Sequence, residues 1–163
     1  MKIIGIDPGL SGGIAVLENN KGLNMFDMPV MSEGKKNKRQ LNSAQLVNLI
    51  KENINSNEDI AVIVEQVNAM PGQGVTSMFN FGQTFGAIKG VCAALELPIF
   101  FVRPAKWKKH FELINSSKDS SRTKAIEMYP KLANQLAKKK DVNKSDAILI
   151  ARFYSETRLL DNK

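Results

Sequence analysis

Residues 1–13 read MKIIGIDPGLSGG, an apolar, β-branched run that ends in an acid and a glycine-rich turn. The isoleucines of this run predict a buried strand because branched side chains fit a pleated surface, and Pro8-Gly9 predicts the turn that closes it. Asp7 then lies at the C-terminal end of that strand. A buried, unpaired carboxylate is costly and is usually neutralised, paired or bound to a metal. This stretch alone fits a turn-capping aspartate and a catalytic aspartate equally well.

The length and the charge of the chain limit its domain count and the class of its partner. The chain has 163 residues, which predicts a single domain over 1–163 with a core large enough to need no disulfide or structural metal. Its formal net charge is +7. Lys and Arg that cluster on one face bind polyanions through counterion release, so the charge favours a nucleic-acid partner.

Cys92 is the single cysteine and lies in an apolar helical run, which predicts a packing role and excludes disulfides and thiolate zinc sites. The N-terminus lacks the pattern of a signal peptide, and no apolar stretch reaches the length of a membrane span. We therefore expect no membrane partner and a cytoplasmic location, in the host cytoplasm if the source is viral.

The first half of the chain predicts strands before helices. Three strands are predicted at 2–6, 13–17 and 23–28, joined by Gly- and Asn-rich turns as an antiparallel meander. The polar stretch 31–39 contains several Lys and Arg residues and is predicted to be a mobile basic loop. Apolar residues at helical spacing over 41–50 then predict an amphipathic helix.

The second half alternates strands and helices. Residues 60–64 predict a buried strand that ends in Glu65, and 98–102 predict another buried strand. A helix is predicted over 76–95, and its glycines at every fourth position predict close packing against another helix or a strand: Gly82, Gly86 and Gly90. With further helices toward the end, the order predicts an α/β class, a mixed sheet with helices on its faces.

Three acids lie at the ends of apolar elements. Asp7 and Glu65 end predicted strands, and Asp146 lies on the apolar face of the last predicted helix. Each alone has an ordinary structural explanation. If the fold brings them together, they repel unless a cation lies between them, and hard divalent ions such as Mg²⁺ take oxygen ligands. Two such ions activate water and stabilise the leaving oxygen of a phosphodiester, which matches the basic charge.

Four motifs in order along the chain resemble the RuvC Holliday-junction resolvases of the ribonuclease-H-like superfamily. They are Ile4-Gly5-Ile6-Asp7-Pro8-Gly9, Val64-Glu65-Gln66-Val67, Phe81-Gly82-Gln83 with Gly86, and Ser145-Asp146-Ala147. The resemblance implies a five-stranded mixed sheet with helices on both faces and its first three strands antiparallel. It also implies a homodimer that cuts paired strands across four-way DNA junctions by two-metal hydrolysis, with Mg²⁺ as cofactor and Mn²⁺ as a substitute.

The resemblance assigns roles to single residues. Asp7, Glu65 and Asp146 would be metal ligands in the catalytic site, with Asp7 bridging both ions. Where the family has a fourth acid, three residues before the last one, this chain has Asn143. An amide oxygen can coordinate a metal but adds no charge, so either Asn143 completes the site or Asp141 substitutes after a local rearrangement.

The family also brings basic residues to the scissile phosphate from the segment before the last helix. Lys118 is the first candidate for a catalytic lysine, since a cation near the leaving oxygen stabilises developing charge. Lys106, Lys109 and Arg122 are candidates for DNA contacts. After Glu65, where some relatives carry an aromatic wedge, Met70 is a candidate apolar wedge at the crossover.

The sequence thus predicts a magnesium-dependent, structure-selective endonuclease that resolves Holliday junctions, and other branched DNA with them. Two alternatives stay open. One is another ribonuclease-H-like nuclease that acts on RNA/DNA hybrids. The other is a non-catalytic or weakly active junction-binding protein, suggested by Asn143 at the position of an acid.

Overall fold

The computed structural model describes residues 1–18, 22–34, 38–55, 58–69 and 71–161. Residues 159–161 are described by their backbone alone. Five strands form the main sheet: β1 (Lys2–Asp7), β2 (Gly13–Glu18), β3 (Gly22–Asp27), β6 (Ile60–Glu65) and β7 (Ile99–Val102). Their order is β3-β2-β1-β6-β7. The first three strands pair antiparallel, whereas β6 runs parallel to β1 and β7 parallel to β6. The predicted meander and mixed sheet are confirmed.

Five helices follow the strands or connect them: α1 (Ser43–Asn53), α2 (Val75–Ala94), α3 (Pro104–His110), α4 (Ser120–Met128) and α5 (Val142–Asp161). A short 3₁₀ turn at Lys139–Asp141 leads directly into α5. The side chain of Asn42 accepts a 3.0 Å hydrogen bond from the Gln45 amide and so caps the start of α1. Along the described ranges, none of these helices combines the length and apolarity that crossing a bilayer requires.

Alternating side chains of β1 face two helical layers. Ile4 and Ile6 pack with Leu46 of α1 and Ile88 of α2 on one face of the sheet. The opposite face packs against α3 and α5, with Ile3 in that cluster. Helices therefore cover both faces, as predicted.

One glycine and one cysteine show how tightly the layers pack. A Cβ built on Gly5 of β1 would lie 2.2 Å from the Ala147 carbonyl oxygen of α5, so the helix rests directly on the strand backbone. On the other face Cys92 is fully buried, and burial raises the pKa of its thiol to about 11. Its predicted packing role is confirmed.

Residues 30–33 and 38–41 form two paired strands rather than the predicted mobile loop. Strands β4 (Val30–Glu33) and β5 (Lys38–Leu41) pair antiparallel, with Val30 opposite Leu41. The Asn42 amide donates to the Pro29 carbonyl at 2.9 Å and closes the base of this strand pair. The loop prediction is therefore wrong for the described part of this stretch, because backbone pairing overrides the polar composition. Lys35 and Lys36 lie outside the described residues.

Two predictions about packing are also wrong. Within the described chain, nothing lies within 4 Å of a Cβ built on Gly82, Gly86 or Gly90. Instead of packing internally, these glycines share an open face of α2 with Val75 and Phe79, which are 80% and 65% exposed. The strand at 98–102 is β7 at the sheet edge, where Phe100 and Phe101 are each more than 40% exposed, so it is not a fully buried strand.

Candidate active site

The sheet register brings the first two acids together. Ile6 of β1 pairs with Val64 of the parallel neighbour β6, so Asp7 and Glu65 follow at the same end of adjacent strands. Asp146 lies in the N-terminal part of α5, which packs across β1 and β2. The structure thus gathers all three predicted acids at the C-terminal ends of β1 and β6.

Electrostatics show that the three carboxyl groups act on one another. Burial, and to a smaller extent the negative charges of Glu65 and Asp146, raise the pKa of Asp7 to about 7, against smaller opposite effects of the Gly9 amide and Lys108. The carboxyl group of Asp7 is therefore at the centre of an unneutralised acidic cluster.

The pKa of Asp146 is raised for the same reasons. Burial, and to a smaller extent the negative charge of Glu65, raise its pKa to about 6. A hydrogen bond from Ser121 and the charges of Lys108 and Lys118 act in the opposite direction. Two lysines therefore lie near enough to Asp146 to stabilise its charged form.

Glu65 is held by a residue that the sequence analysis did not assign to the site. The pKa of Glu65 is raised by burial, while the Trp107 indole and the charge of Lys108 lower it. The indole Nε1 donates to Glu65 Oε1 at 2.9 Å, and Trp107 is fully buried. Lys108, the next residue of α3, acts on all three acids. A lone tryptophan inside the run Lys106–Lys109 was the available signal for both.

The donors at these strand ends suit a hard cation. Asp146 Oδ1 is buried and has no hydrogen-bond partner among the described residues. A divalent ion would satisfy this oxygen and offset the repulsion that raises the pKa of Asp7, and Mg²⁺ prefers carboxylate oxygens. In the described ranges, no group of three or more His, Cys, Asp or Glu is already arranged to hold a metal. The three acids therefore match a Mg²⁺ site in chemistry and converge without forming a closed coordination shell.

Asn143 and Asp141 occupy different environments. The Asn143 amide nitrogen donates to the Ser11 carbonyl in the glycine turn after Asp7, which leaves its amide oxygen available. Asp141 is 4% exposed; its carboxylate accepts from the Lys138 amide at 2.9 Å and pairs with Lys144 at 3.0 Å. Burial alone would raise the pKa of Asp141, but these contacts lower it below its usual value. Asp141 is thus engaged in holding the turn before α5.

The predicted basic residues separate into two groups. Lys118 lies exposed in the loop before α4, and its charge acts on Asp146. Arg122, in contrast, donates to both carboxylate oxygens of Asp119 at 2.7 and 2.6 Å and to the Leu136 carbonyl at 3.0 Å. Its guanidinium is therefore occupied by contacts that hold α4 in place.

The other predicted contacts lie outside the acid cluster or the described chain. Lys106 places Nζ 5.9 Å from the centre of the Phe153 ring, and Lys109 is exposed on α3. Met70 lies outside the described residues. Lys106 and Lys109 thus remain on the surface that α3 presents beside the site.

The raised pKa values predict how stability changes with pH when divalent ions are removed with EDTA. The folded pKa values of about 7 for Asp7 and about 6 for Asp146 exceed the ordinary value of 3.8. Between pH 4 and pH 7 these two groups hold more protons in the folded than in the unfolded state, so their contribution to stability falls as pH rises. We expect the loss from Asp7 alone to be on the order of 4 kcal/mol.

Denaturant unfolding from pH 4 to 8 measures this effect. The double variant Asp7→Asn/Asp146→Asn should show a flatter pH profile, and Mg²⁺ should restore stability to the unsubstituted protein at pH 8. An equally steep decline in the double variant would contradict the assignment of these groups.

Comparisons with known proteins identify the family and the fold of this chain. The family model of crossover junction endodeoxyribonuclease RuvC matches residues 3–153. No curated protein sequence matches the chain. Among solved structures, Thermus thermophilus RuvC in complex with a Holliday junction substrate is similar at a TM-score of 0.55 and 17% identity, covering 96% of each chain.

Two more structures have the same fold. A second Thermus thermophilus RuvC structure gives a TM-score of 0.56 at 19% identity over 97% of each chain. The yeast mitochondrial Holliday junction resolvase gives 0.54 at 14% identity over 98% of this chain and 81% of that chain. The ribonuclease-H-like fold is confirmed. With a family model that covers nearly its whole length, the chain belongs to the RuvC family of crossover junction endodeoxyribonucleases and is a nuclease.

Proposed function

We propose that this chain, as a single domain over residues 1–163, is a magnesium-dependent endonuclease that resolves four-way junctions and also cuts other branched DNA. The observation that carries the proposal is the convergence of Asp7, Glu65 and Asp146, whose pKa values are all raised. Family membership and the net charge of +7 support it.

Asp7, Glu65, Asp146 and the amide oxygen of Asn143 would hold the ions. Two bound Mg²⁺ ions, or Mn²⁺ in their place, would activate a water nucleophile and stabilise the leaving oxygen. We favour Asn143 over Asp141 as the fourth ligand because the Asp141 carboxylate is buried against Lys138 and Lys144. This leaves the ligand set with one negative charge fewer than that of the family.

The surrounding residues position these acids and the substrate. Trp107 orients Glu65, and Ser121 donates to Asp146. Lys118 is proposed to contact the scissile phosphate, where a cation opposite developing negative charge lowers the barrier. The charge of Lys108 acts on all three acids, and Lys108 is proposed to contact the scissile phosphate as well.

Lys106 and Lys109 are proposed to contact DNA beside the site, and Met70 to act as the apolar wedge. We leave Arg122 out of the DNA contacts because Asp119 and Leu136 already engage its guanidinium. The DNA surface proposed for this chain is therefore formed by α3 and the loop that contains Lys118.

A cleavage assay on a synthetic immobile four-way junction tests the proposal. The expected product is a pair of symmetric nicks that require Mg²⁺ or Mn²⁺ and are absent in EDTA. Flaps, plain duplex and RNA/DNA hybrids serve as comparison substrates. Faster cleavage of hybrids than of junctions would favour a different ribonuclease-H-like nuclease, and tight junction binding without a metal-dependent product would favour a binding module.

Trp107→Phe tests the positioning of Glu65. The variant keeps most of the buried aromatic surface but removes the indole N–H that donates to Glu65 Oε1. Losing a hydrogen bond to a carboxylate costs about 1.5–3 kcal/mol, so we expect cleavage at pH 7 to fall about tenfold or more. The pH–rate profile should shift toward higher pH, because the pKa of Glu65 rises without this donor. Reduced activity with an unchanged pH profile would indicate a packing role only.

The chain is further proposed to act as a homodimer through the open face of α2, defined by Val75, Phe79, Gly82, Gly86 and Gly90. This face combines two strongly exposed apolar side chains with three glycines that meet nothing in the described chain. Glycines at this spacing would let a second helix approach closely, and a second copy offers the same apolar surface by two-fold symmetry. Paired nicks on opposite strands also call for two active sites.

Phe79→Glu tests this interface. We expect a dimer for the unsubstituted protein and a monomer for the variant in light scattering at micromolar concentration, because a charge would be buried at the contact. The exposed Lys51→Glu change on α1 is the control and should leave the dimer intact. A dimer that survives Phe79→Glu unchanged would place the interface elsewhere.

A further inference from the structure

We propose that Lys139 and Lys140 extend the site past Lys118 into a second phosphate-binding groove, which takes the DNA strand beyond the scissile phosphate. The proposal rests on the nuclease function proposed above. Its ligand is the phosphodiester backbone of DNA, bound without regard to base sequence. The following observations carry it.

The groove lies next to the acid cluster. It has a volume of about 450 Å³ and is lined by Lys118, Asp119, Lys139, Lys140, Val142 and Asn143. At one side Asn143 donates to Ser11 in the turn after Asp7, and Lys118 acts on Asp146. A strand with a phosphate at the acids would therefore continue along this groove.

The charge of the groove is positive. Asp119, its one lining acid, is neutralised by the two-pronged contact from Arg122. Among the described residues, none of the three lining lysines forms an ion pair within 4.0 Å. Three cations without a close partner, beside one paired acid, are suited to a polyanion.

Contacts of the buried Asp141 side chain hold the turn that carries Lys139 and Lys140. Asp141 ends the 3₁₀ turn, is buried, and binds both the Lys138 amide and the Lys144 ammonium. Lys139 and Lys140 remain exposed on top of this turn. A backbone that is already ordered lowers the entropic cost of presenting both ammonium groups to a phosphate strand. This also gives Asp141 a role as a positioning residue for the lysines rather than as a metal ligand.

Lysines provide charge without the paired donors that read base edges. A lysine ammonium binds phosphate as a point charge, whereas arginine offers a planar fork that matches two acceptors. The groove should therefore add affinity to every DNA sequence equally. Its signature is the salt dependence of binding, which counts the phosphates neutralised.

The test compares Lys139→Ala/Lys140→Ala with the matched control Lys51→Ala/Lys131→Ala, which removes two exposed lysines that do not line the groove. Binding of an immobile junction is measured in EDTA over a range of salt from about 50 to 200 mM, a range in which phosphate contacts dominate the change in affinity. Losing two phosphate contacts should reduce the slope of log K against log salt by about 1.8. We expect binding about two-hundredfold weaker at the lowest salt and about twentyfold weaker at the highest, and no change for the control.

A second measurement separates binding from chemistry. Single-turnover cleavage at saturating enzyme should stay within about twofold of the unsubstituted protein for the groove variant, since these lysines do not touch the reacting atoms. A salt slope equal to that of the unsubstituted protein and the control would overturn the proposal, and so would a large loss of rate at saturation. If the unsubstituted protein binds junctions but never cuts them, and the groove variant shows the expected slope change, the nuclease proposal fails and the groove stands. If it binds no DNA, both fail.

Discussion

Asp7→Asn is expected to abolish junction cleavage, by at least about a thousandfold, while junction binding in the absence of metal is kept. The change preserves size and an oxygen donor but removes the charge at the centre of the acid cluster, and a thousandfold corresponds to about 4 kcal/mol of lost transition-state stabilisation. The same change removes the repulsion with Glu65 and Asp146. The variant should therefore be more stable than the unsubstituted protein at pH 8 in EDTA.

The matched control for this prediction is Asp59→Asn. Asp59 is exposed and precedes β6, at the opposite end of that strand from Glu65. It should leave cleavage, binding and stability within experimental error. Nicking of an immobile junction at the normal rate by Asp7→Asn would overturn the assigned site.

Gly5→Ala is expected to cost at least about 3 kcal/mol in the free energy of unfolding, the upper part of the range for forced overpacking. The new methyl group would lie 2.2 Å from the Ala147 carbonyl oxygen and 2.7 Å from the Ala151 nitrogen. Both are backbone atoms of a helix and cannot rotate aside. The helix must therefore lift from the sheet, and Asp146 moves with it.

Urea or guanidinium unfolding measures this loss, and Gly22→Ala is the control. A Cβ at Gly22 would meet only the end of the Glu18 side chain, at 4.0 Å, so stability should change by no more than about 0.5 kcal/mol. The soluble fraction of Gly5→Ala should also lose cleavage activity. Equal stability of the two variants would show that the sheet and α5 are less closely packed than described.

The elements that the sequence predicted correctly have strong local patterns. The β-branched runs before Asp7 and Glu65 predict strands wherever they occur, and an acid at the end of each is visible by position alone. Asp146 required more, because its place on the sheet depends on how α5 packs. The four family motifs supplied that long-range information.

The elements that the sequence predicted wrongly depend on contacts between distant residues. Composition predicted a loop for 31–39, but cross-strand hydrogen bonds form a strand pair that no local propensity shows. The glycines of α2 predicted a closely packed stripe, but the described chain supplies no partner for it. Burial of β7 was overestimated because an apolar run does not tell a central strand from an edge strand.

Two site residues were missed for a geometric reason. Trp107 and Lys108 are neighbours in the sequence, and only the helical register of α3 turns the indole inward to Glu65 while Lys108 approaches all three acids. For Arg122 a local signal did exist. Asp119 lies three residues earlier, at a spacing that favours an ion pair on a helix.

The close approach of β2 to the start of α5 constrains how this protein can evolve. A Cβ on Gly13 would lie 2.8 Å from the Lys144 Cα and 2.9 Å from the Asn143 carbonyl oxygen, and the Asn143 side chain is tied to Ser11. A lineage that placed a larger residue at position 13 would have to rebuild the helix start in the same step. Position 13 is therefore expected to remain glycine in any lineage that keeps this helix start, because the atoms that a Cβ would meet are backbone atoms that every side chain at positions 143 and 144 leaves in place.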